Sequence, residues 1–188
     1  MSKPFEKVNS HEVYHGKVLN VRVDTVRYNE KDIKWEIVEM GSAVVVMPLI
    51  EEDKFVMIHQ YRYVTGKFIW EFPAGRAHDN EQLELCAQRE LAEECGYRAR
   101  QFKKVLTYYP SPGVMTEVMH LFIAHDLYES HTAQPDDDEI IRTEVLDAAT
   151  IDTMIQKGEI QDAKTILAFY YWQLHKEELK AHFLPKAK

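Results

Sequence analysis

The 188-residue chain predicts an α+β protein, a series of strands broken by one helix and closed by two more. Three observations carry that expectation. Apolar residues alternate near the N-terminus, an unbroken apolar run covers residues 42–50, and a helical repeat of apolar residues starts near residue 81. Hydrophobic residues at 45% and aromatics at 11% exclude wholesale disorder, and the length suits one domain with ample room for a core.

Residues 13–28 alternate around Val18, Val21, Val23 and Val26, which reads as two strands or one long hairpin arm. Asn29-Glu30-Lys31-Asp32 is a turn, and residues 33–40 form the next strand. Ala43-Val44-Val45-Val46-Met47 suits a strand buried on both faces. Glu51-Glu52-Asp53-Lys54 turns the chain into a hairpin mate at 55–60. Trp70-Glu71-Phe72-Pro73-Ala74-Gly75 is strand-like up to a glycine that permits a backbone turn.

A helix is expected over 81–95, with Asp79 or Asn80 as its N-cap and Gly96 closing it. Leu83, Ala87, Leu91 and Cys95 form its buried stripe. Further strands follow at 99–107, 118–125 and 140–146, with a polar loop over 129–139 between the last two. Helices at 148–157 and 162–184 finish the chain. Residues 1–41 are read as a small antiparallel sheet unit and 42–188 as the catalytic domain. An edge-exposed arm of this kind either folds back on its own core or pairs with a second copy.

The predicted helix carries a charge anomaly. At about 100° per residue, Glu93 and Glu94 fall about 60° to one side and 40° to the other of Glu90, so three carboxylates share a face. Arg89 can pair with Glu93 one turn on, yet a single arginine cannot neutralise three carboxylates. A solvated acidic face is the ordinary explanation of a charge run. Oxygen ligands on a rigid element also suit a hard divalent cation, Mg2+ or Mn2+, and Ala74 stands where its carbonyl could join them.

Residues 75–97 read Gly-x5-Glu-x7-Arg-Glu-Leu-x-Glu-Glu-x-Gly-Tyr. This run resembles the Nudix box, the signature of the Nudix hydrolase superfamily, with every fixed position filled and Tyr97 where an aliphatic residue is usual. The resemblance implies an α/β/α sandwich around a mixed sheet and hydrolysis of a nucleoside diphosphate linked to another group. It implies that Glu90 and Glu94 ligate the metal with Glu93 assisting, that Arg89 orients the carboxylates, and that Ala74 contributes its carbonyl oxygen.

Beyond the box, Gln60-Tyr61-Arg62, the stretch from Trp70 to Gly75, Ser111-Pro112-Gly113 and Gly158-Glu159-Ile160-x-Asp162 resemble the ADP-ribose pyrophosphatase branch. Pro112, sixteen residues past Gly96, sits at a position that accompanies ADP-ribose preference in that branch. The branch implies a homodimer through the N-terminal sheet. It also implies phosphate contact by Arg62, a planar fork suited to that role, and a Glu71 facing substrate or metal. Trp35 is either a stacking platform for the base or a core residue, and Arg76 either reaches phosphate or is solvated. An acidic loop then supplies the general base, which here divides between Glu139 and Asp137, the latter one methylene shorter than the family's usual glutamate; Glu139 is also a candidate metal ligand.

The net charge of −8 argues against nucleic acid or an anionic membrane surface as partner. That leaves a small nucleotide-sugar substrate, with an RNA 5′-pyrophosphohydrolase or a catalytically weak nucleotide-binding module as alternatives. No EF-hand spacing supports a calcium site. Cys86 and Cys95, nine residues apart on one helix, cannot pair. With no apolar signal region at the start, a cytoplasmic protein is expected.

Overall fold

The computed structural model describes residues 4–130 and 140–183. Strands β1 (Glu6–His15), β2 (Asn20–Tyr28) and β3 (Lys31–Glu39) form a three-stranded antiparallel sheet in the order β1-β2-β3. β1 starts seven residues before the alternating pattern because residues 6–12 are polar except for Val8 and are held by main-chain pairing with β2 and by side-chain contacts of Lys7 and Ser10 with Asp24. All ten of its residues are exposed. Asp24 of β2 is buried, and its carboxylate accepts from Ser10 Oγ (2.6 Å) and Arg22 Nε (3.1 Å).

This sheet forms one compact unit, residues up to Ser42, together with Tyr108–Met119. The joining is mostly main-chain: Val38 N donates to Val114 O (2.8 Å) and Thr116 N to Val38 O (3.0 Å), while Thr116 Oγ1 accepts from Met40 N (2.9 Å) and donates to Met40 O (2.8 Å). Pro112 is exposed in the turn that precedes this contact, where Val114 N and Met115 N both donate to Ser111 O.

The second unit, Ala43–Thr107 with the chain from His120 onward, is a seven-stranded mixed sheet with helices. Its strands are β4 (Ser42–Glu51), β5 (Lys54–Arg62), β6 (Lys67–Glu71), β7 (Ala74–Arg76), β8 (Tyr97–Tyr108), β9 (Val118–Glu129) and β10 (Ile141–Asp147). The order is β10-β5-β4-β9-β8, with β6 added to β5 and β7 to β4. β6 and β7 were not separable in the sequence because they are short and Pro73, which has no N–H to give a ladder, divides them.

The apolar run of β4 is unbroken because both faces of the sheet are covered. Val44 and Val46, with Val56 and Ile58 of β5, pack against Cys86, Ala87, Leu91 and Cys95 of α1 (Leu83–Cys95). On the alternate set, Phe55 of β5 meets Trp172 of α3 (Ala163–Phe183) edge to face at 4.9 Å. A third helix, α2 (Ala148–Gln156), is capped by Asp147, whose side chain accepts from Thr150 N.

Helix α1 begins at Leu83, two residues later than expected, and neither Asp79 nor Asn80 caps it. Gln82 holds the N-cap position with no side-chain hydrogen bond. Asn80 instead takes a left-handed conformation (φ 63°) in a turn closed by Glu81 N donating to His78 O. At the other end Gly96 is left-handed as expected (φ 72°), and its N–H returns to the carbonyls of Leu91 and Ala92.

Leu91 is fully buried between α1 and the sheet. Leu91→Ala is expected to cost about 2–5 kcal/mol, read as a lower urea midpoint at unchanged slope.

Candidate active site

Two of the three carboxylates that share a face of α1 are not solvated. Glu90 and Glu94 are 8% and 4% exposed, on the flank of the helix that meets β7. Burying a carboxylate is costly unless it is hydrogen-bonded, and each has a donor. Glu94 Oε2 accepts from Ala74 N at 2.8 Å, and Glu90 Oε1 accepts from Arg89 Nη1 at 2.7 Å. Gly75 lies so close to Glu90 that any Cβ there would overlap the carboxylate. The glycine is therefore required by approach and not by conformation, which explains why it heads the motif.

Arg89 organises the flank. Nη1 donates to both Glu90 and Glu93 (2.9 Å), Nε to Glu81 Oε1 (3.0 Å), and Nη2 to Glu81 Oε2 (3.1 Å) and the carbonyl of Arg76 (3.0 Å). The hydrogen bond from Arg89, with help from His78 N, holds the Glu81 carboxyl down at about 2. Cys86 lies 3.5 Å from Arg89 Nη2, yet burial and the neighbouring Glu90 push its thiol up to about 12. Burial raises Cys95 as well, which disfavours the thiolate form of both.

The stretch from Glu71 to Arg76 has a partner at nearly every step. Glu71, 1% exposed, receives Arg62 through Nε and Nη2, both at 2.7 Å, and also Lys164 Nζ. Burial alone would raise its carboxyl, but these two cations outweigh it and hold it below the ordinary range. Phe72 N donates to Thr165 Oγ1 (2.8 Å), Pro73 O accepts from Val46 N (2.8 Å), and β7 pairs with β4 from Ala74 to Arg76. Asp162 caps α3, accepting from Thr165 N (2.9 Å) and Thr165 Oγ1 (2.6 Å), and its other oxygen takes Lys164 Nζ at 2.9 Å.

Ala74, Glu90, Glu93, Glu94, Arg89 and the main chain of Arg76 thus come together between α1 and β7. Arg62, the last residue of β5, and Glu71, the last residue of β6, form a bidentate pair along the β5–β6 hairpin. Trp35 belongs to the N-terminal sheet, 42% exposed and edge-on to Phe5 at 5.7 Å, and Pro112 belongs to the same unit. Asp137 and Glu139 lie outside the described residues. Among the described residues no three His, Cys, Asp or Glu side chains converge as a ready metal cage, because Glu90 and Glu93 turn to Arg89.

Three participants were missed as such in the sequence. Glu81 stands at the expected helix start with no pattern of its own, although its place eight residues before Arg89 puts it within reach of the same guanidinium. Lys164 and Thr165 follow the Asp162 motif directly, but their partners are 93 residues away, a distance over which no local pattern speaks.

A family model described as NUDIX domain matches residues 40–169. The chain is 37% identical over 174 residues to an ADP-ribose pyrophosphatase of Bacillus subtilis (strain 168), covering 90% of this chain and 92% of that one. It is 35% identical to a methanol dehydrogenase activator of Bacillus methanolicus, with 96% and 99% covered. Against a GDP-mannose pyrophosphatase of Citrobacter koseri (strain ATCC BAA-895 / CDC 4225-83 / SGSC4696) it is 34% identical, with 85% and 88% covered. In fold it resembles the crystal structure of an ADP compounds hydrolase, with TM-score 0.82, 21% identity and 96% of each chain covered.

Glu81 is ionised in the folded protein down to about 2, against an ordinary value of 4.5. Its contribution to stability is therefore complete above about pH 4.5 and lost as pH falls toward 2. Glu81→Gln is expected to flatten the decline of the urea midpoint across that window; an unchanged decline would remove Glu81 from the network. Gly75→Ala is expected to displace Glu90 and destabilise the fold by about 1–3 kcal/mol, measured by thermal unfolding.

Proposed function

The chain belongs to the NUDIX domain family and is a Nudix hydrolase, and from that premise we propose that it cleaves the pyrophosphate of ADP-ribose or a related nucleoside diphosphate sugar in a Mg2+-dependent reaction. The products are a nucleoside monophosphate and a sugar phosphate. The observation that carries this reading is the pair Glu90 and Glu94, two carboxylates kept buried beside a strand whose glycine leaves room for no side chain.

The residues fit a divalent cation. Hard oxygen donors of Glu90, Glu94 and Glu93 stand on one rigid helix, with the Ala74 main chain hydrogen-bonded to one of them. These three carboxylates and the Ala74 carbonyl would hold Mg2+, with Mn2+ as a substitute. When bound, the ion neutralises phosphate charge and acidifies a coordinated water. Arg89 keeps the carboxylates apart and oriented, a task its contacts to Glu90, Glu93 and Glu81 support.

Arg62 binds phosphate, held by Glu71 through Nε and Nη2 so that its Nη1 side faces away from that pair. The general base comes from residues 136–139, Glu139 or Asp137, and Glu139 also serves as a ligand. Arg76, Trp35 and Pro112 contribute to substrate choice. The relatives' names favour ADP-ribose, with GDP-mannose as the nearest competitor.

Residues 1–41 act as a dimerisation unit. An edge strand whose ten residues are all exposed, with Val8, Val13 and Tyr14 among them, supports pairing with a second copy.

Glu90→Gln and Glu94→Gln are each expected to lower Mg2+-dependent turnover by about 10²-fold or more at unchanged circular dichroism; full turnover in both would sink the metal site. Hydrolysis of ADP-ribose, ADP-glucose, GDP-mannose, NADH and capped or triphosphorylated RNA should show kcat/KM highest for ADP-ribose. Turnover of RNA alone would overturn the substrate, and no turnover of any nucleotide would favour a binding module.

A further inference from the structure

Glu71 carries more positive charge than its own neutralisation needs. Its carboxylate is 1% exposed, yet it takes both the fork of Arg62 and the ammonium of Lys164. A buried Arg–carboxylate pair standing alone is a neutral unit with little attraction left for an anion. A second cation on the same carboxylate changes that balance.

Lys164 is held independently of Arg62. Asp162 Oδ1 fixes its ammonium at 2.9 Å, while Asp162 Oδ2 is occupied by Thr165 N and Oγ1 at the start of α3. The partial positive charge of that helix end offsets about half of the Asp162 carboxylate's charge, so the cluster of Arg62, Lys164, Glu71 and Asp162 keeps a small positive excess. Lys164 therefore stays on Glu71 whatever Arg62 binds.

We propose that Lys164 is a positioning residue for substrate binding: by sharing Glu71 with Arg62, it leaves the aimed guanidinium with charge to offer a diphosphate on its Nη1 side. The inference rests on Arg62 being a phosphate-binding group. Arg62 is part-exposed, 37% by its side chain, whereas Lys164 at 19% is screened and contributes through Glu71.

The test is a double-mutant cycle on the full chain with ADP-ribose and Mg2+. Lys164→Met is expected to raise KM about tenfold while kcat stays within about twofold, and Lys164→Arg to restore KM to within about threefold of wild type. In an Arg62→Met background the Lys164→Met effect should vanish, because the two act as one unit. A merely structural lysine would lower the melting temperature and give an additive cycle.

An undiminished Lys164→Met effect in the Arg62→Met background overturns the proposal. So does an unchanged KM in Lys164→Met beside a raised KM in Arg62→Met, and that result leaves the Arg62 reading standing. An unchanged KM in Arg62→Met overturns both. Should Lys164→Met fail to fold, Lys164→Gln keeps a donor for Glu71 without the charge and reads the same cycle. Affinity for ADP-ribose by titration calorimetry, independent of turnover, separates failure of this proposal from failure of the hydrolysis reading.

Discussion

The guanidinium of Arg89 holds three carboxylates, Glu81, Glu90 and Glu93, within hydrogen-bonding reach and still has a donor for the Arg76 carbonyl. Two like charges about 4 Å apart repel by about 4 kcal/mol at an effective dielectric of 20, so this acidic flank could not exist without that fork. Lysine would not replace it, because a point charge cannot serve directions set by a plane. Arg89 also ties the helix to β7 through a main-chain oxygen. Charge balance and strand placement are thereby one interaction, and the close approach of Gly75 to Glu90 follows from it.

The other side of residues 71–76 is secured by different means. Lys164, Asp162 and Thr165 at the start of α3 hold Glu71 and the Phe72 amide, while α1 holds Ala74 and Arg76. A six-residue segment that crosses between two helices would otherwise bury unpaired main-chain groups. Here Pro73 supplies no donor to satisfy, and its carbonyl goes to Val46. The break that ends β6 and begins β7 is thus a site of full hydrogen bonding, with rigid elements on both sides.

Much of this was legible in the sequence. The buried strand β4, the apolar stripe of α1, the Gly96 stop and the shared face of Glu90, Glu93 and Glu94 all follow from local periods and from the conformational freedom of one glycine. The strand boundaries around Pro73 were not, since five-residue and three-residue strands offer too few alternations to read. Nor was the partner set of Glu71 legible: Arg62 is nine residues away and Lys164 ninety-three, and only folding makes them neighbours. The helix start failed for a local reason, because Glu81 spends its carboxylate on Arg89 and His78 N, leaving Gln82 at the cap.

Helix α1 also carries both cysteines, buried against the sheet, with Cys86 one turn before Glu90 and 3.5 Å from Arg89 Nη2. Burial and the neighbouring carboxylates Glu90 and Glu94 oppose ionisation of both thiols. Peroxide and disulfide exchange act on thiolates, the form that this burial disfavours. The same carboxylates that Arg89 gathers thereby also oppose ionisation of the sulfur beside them.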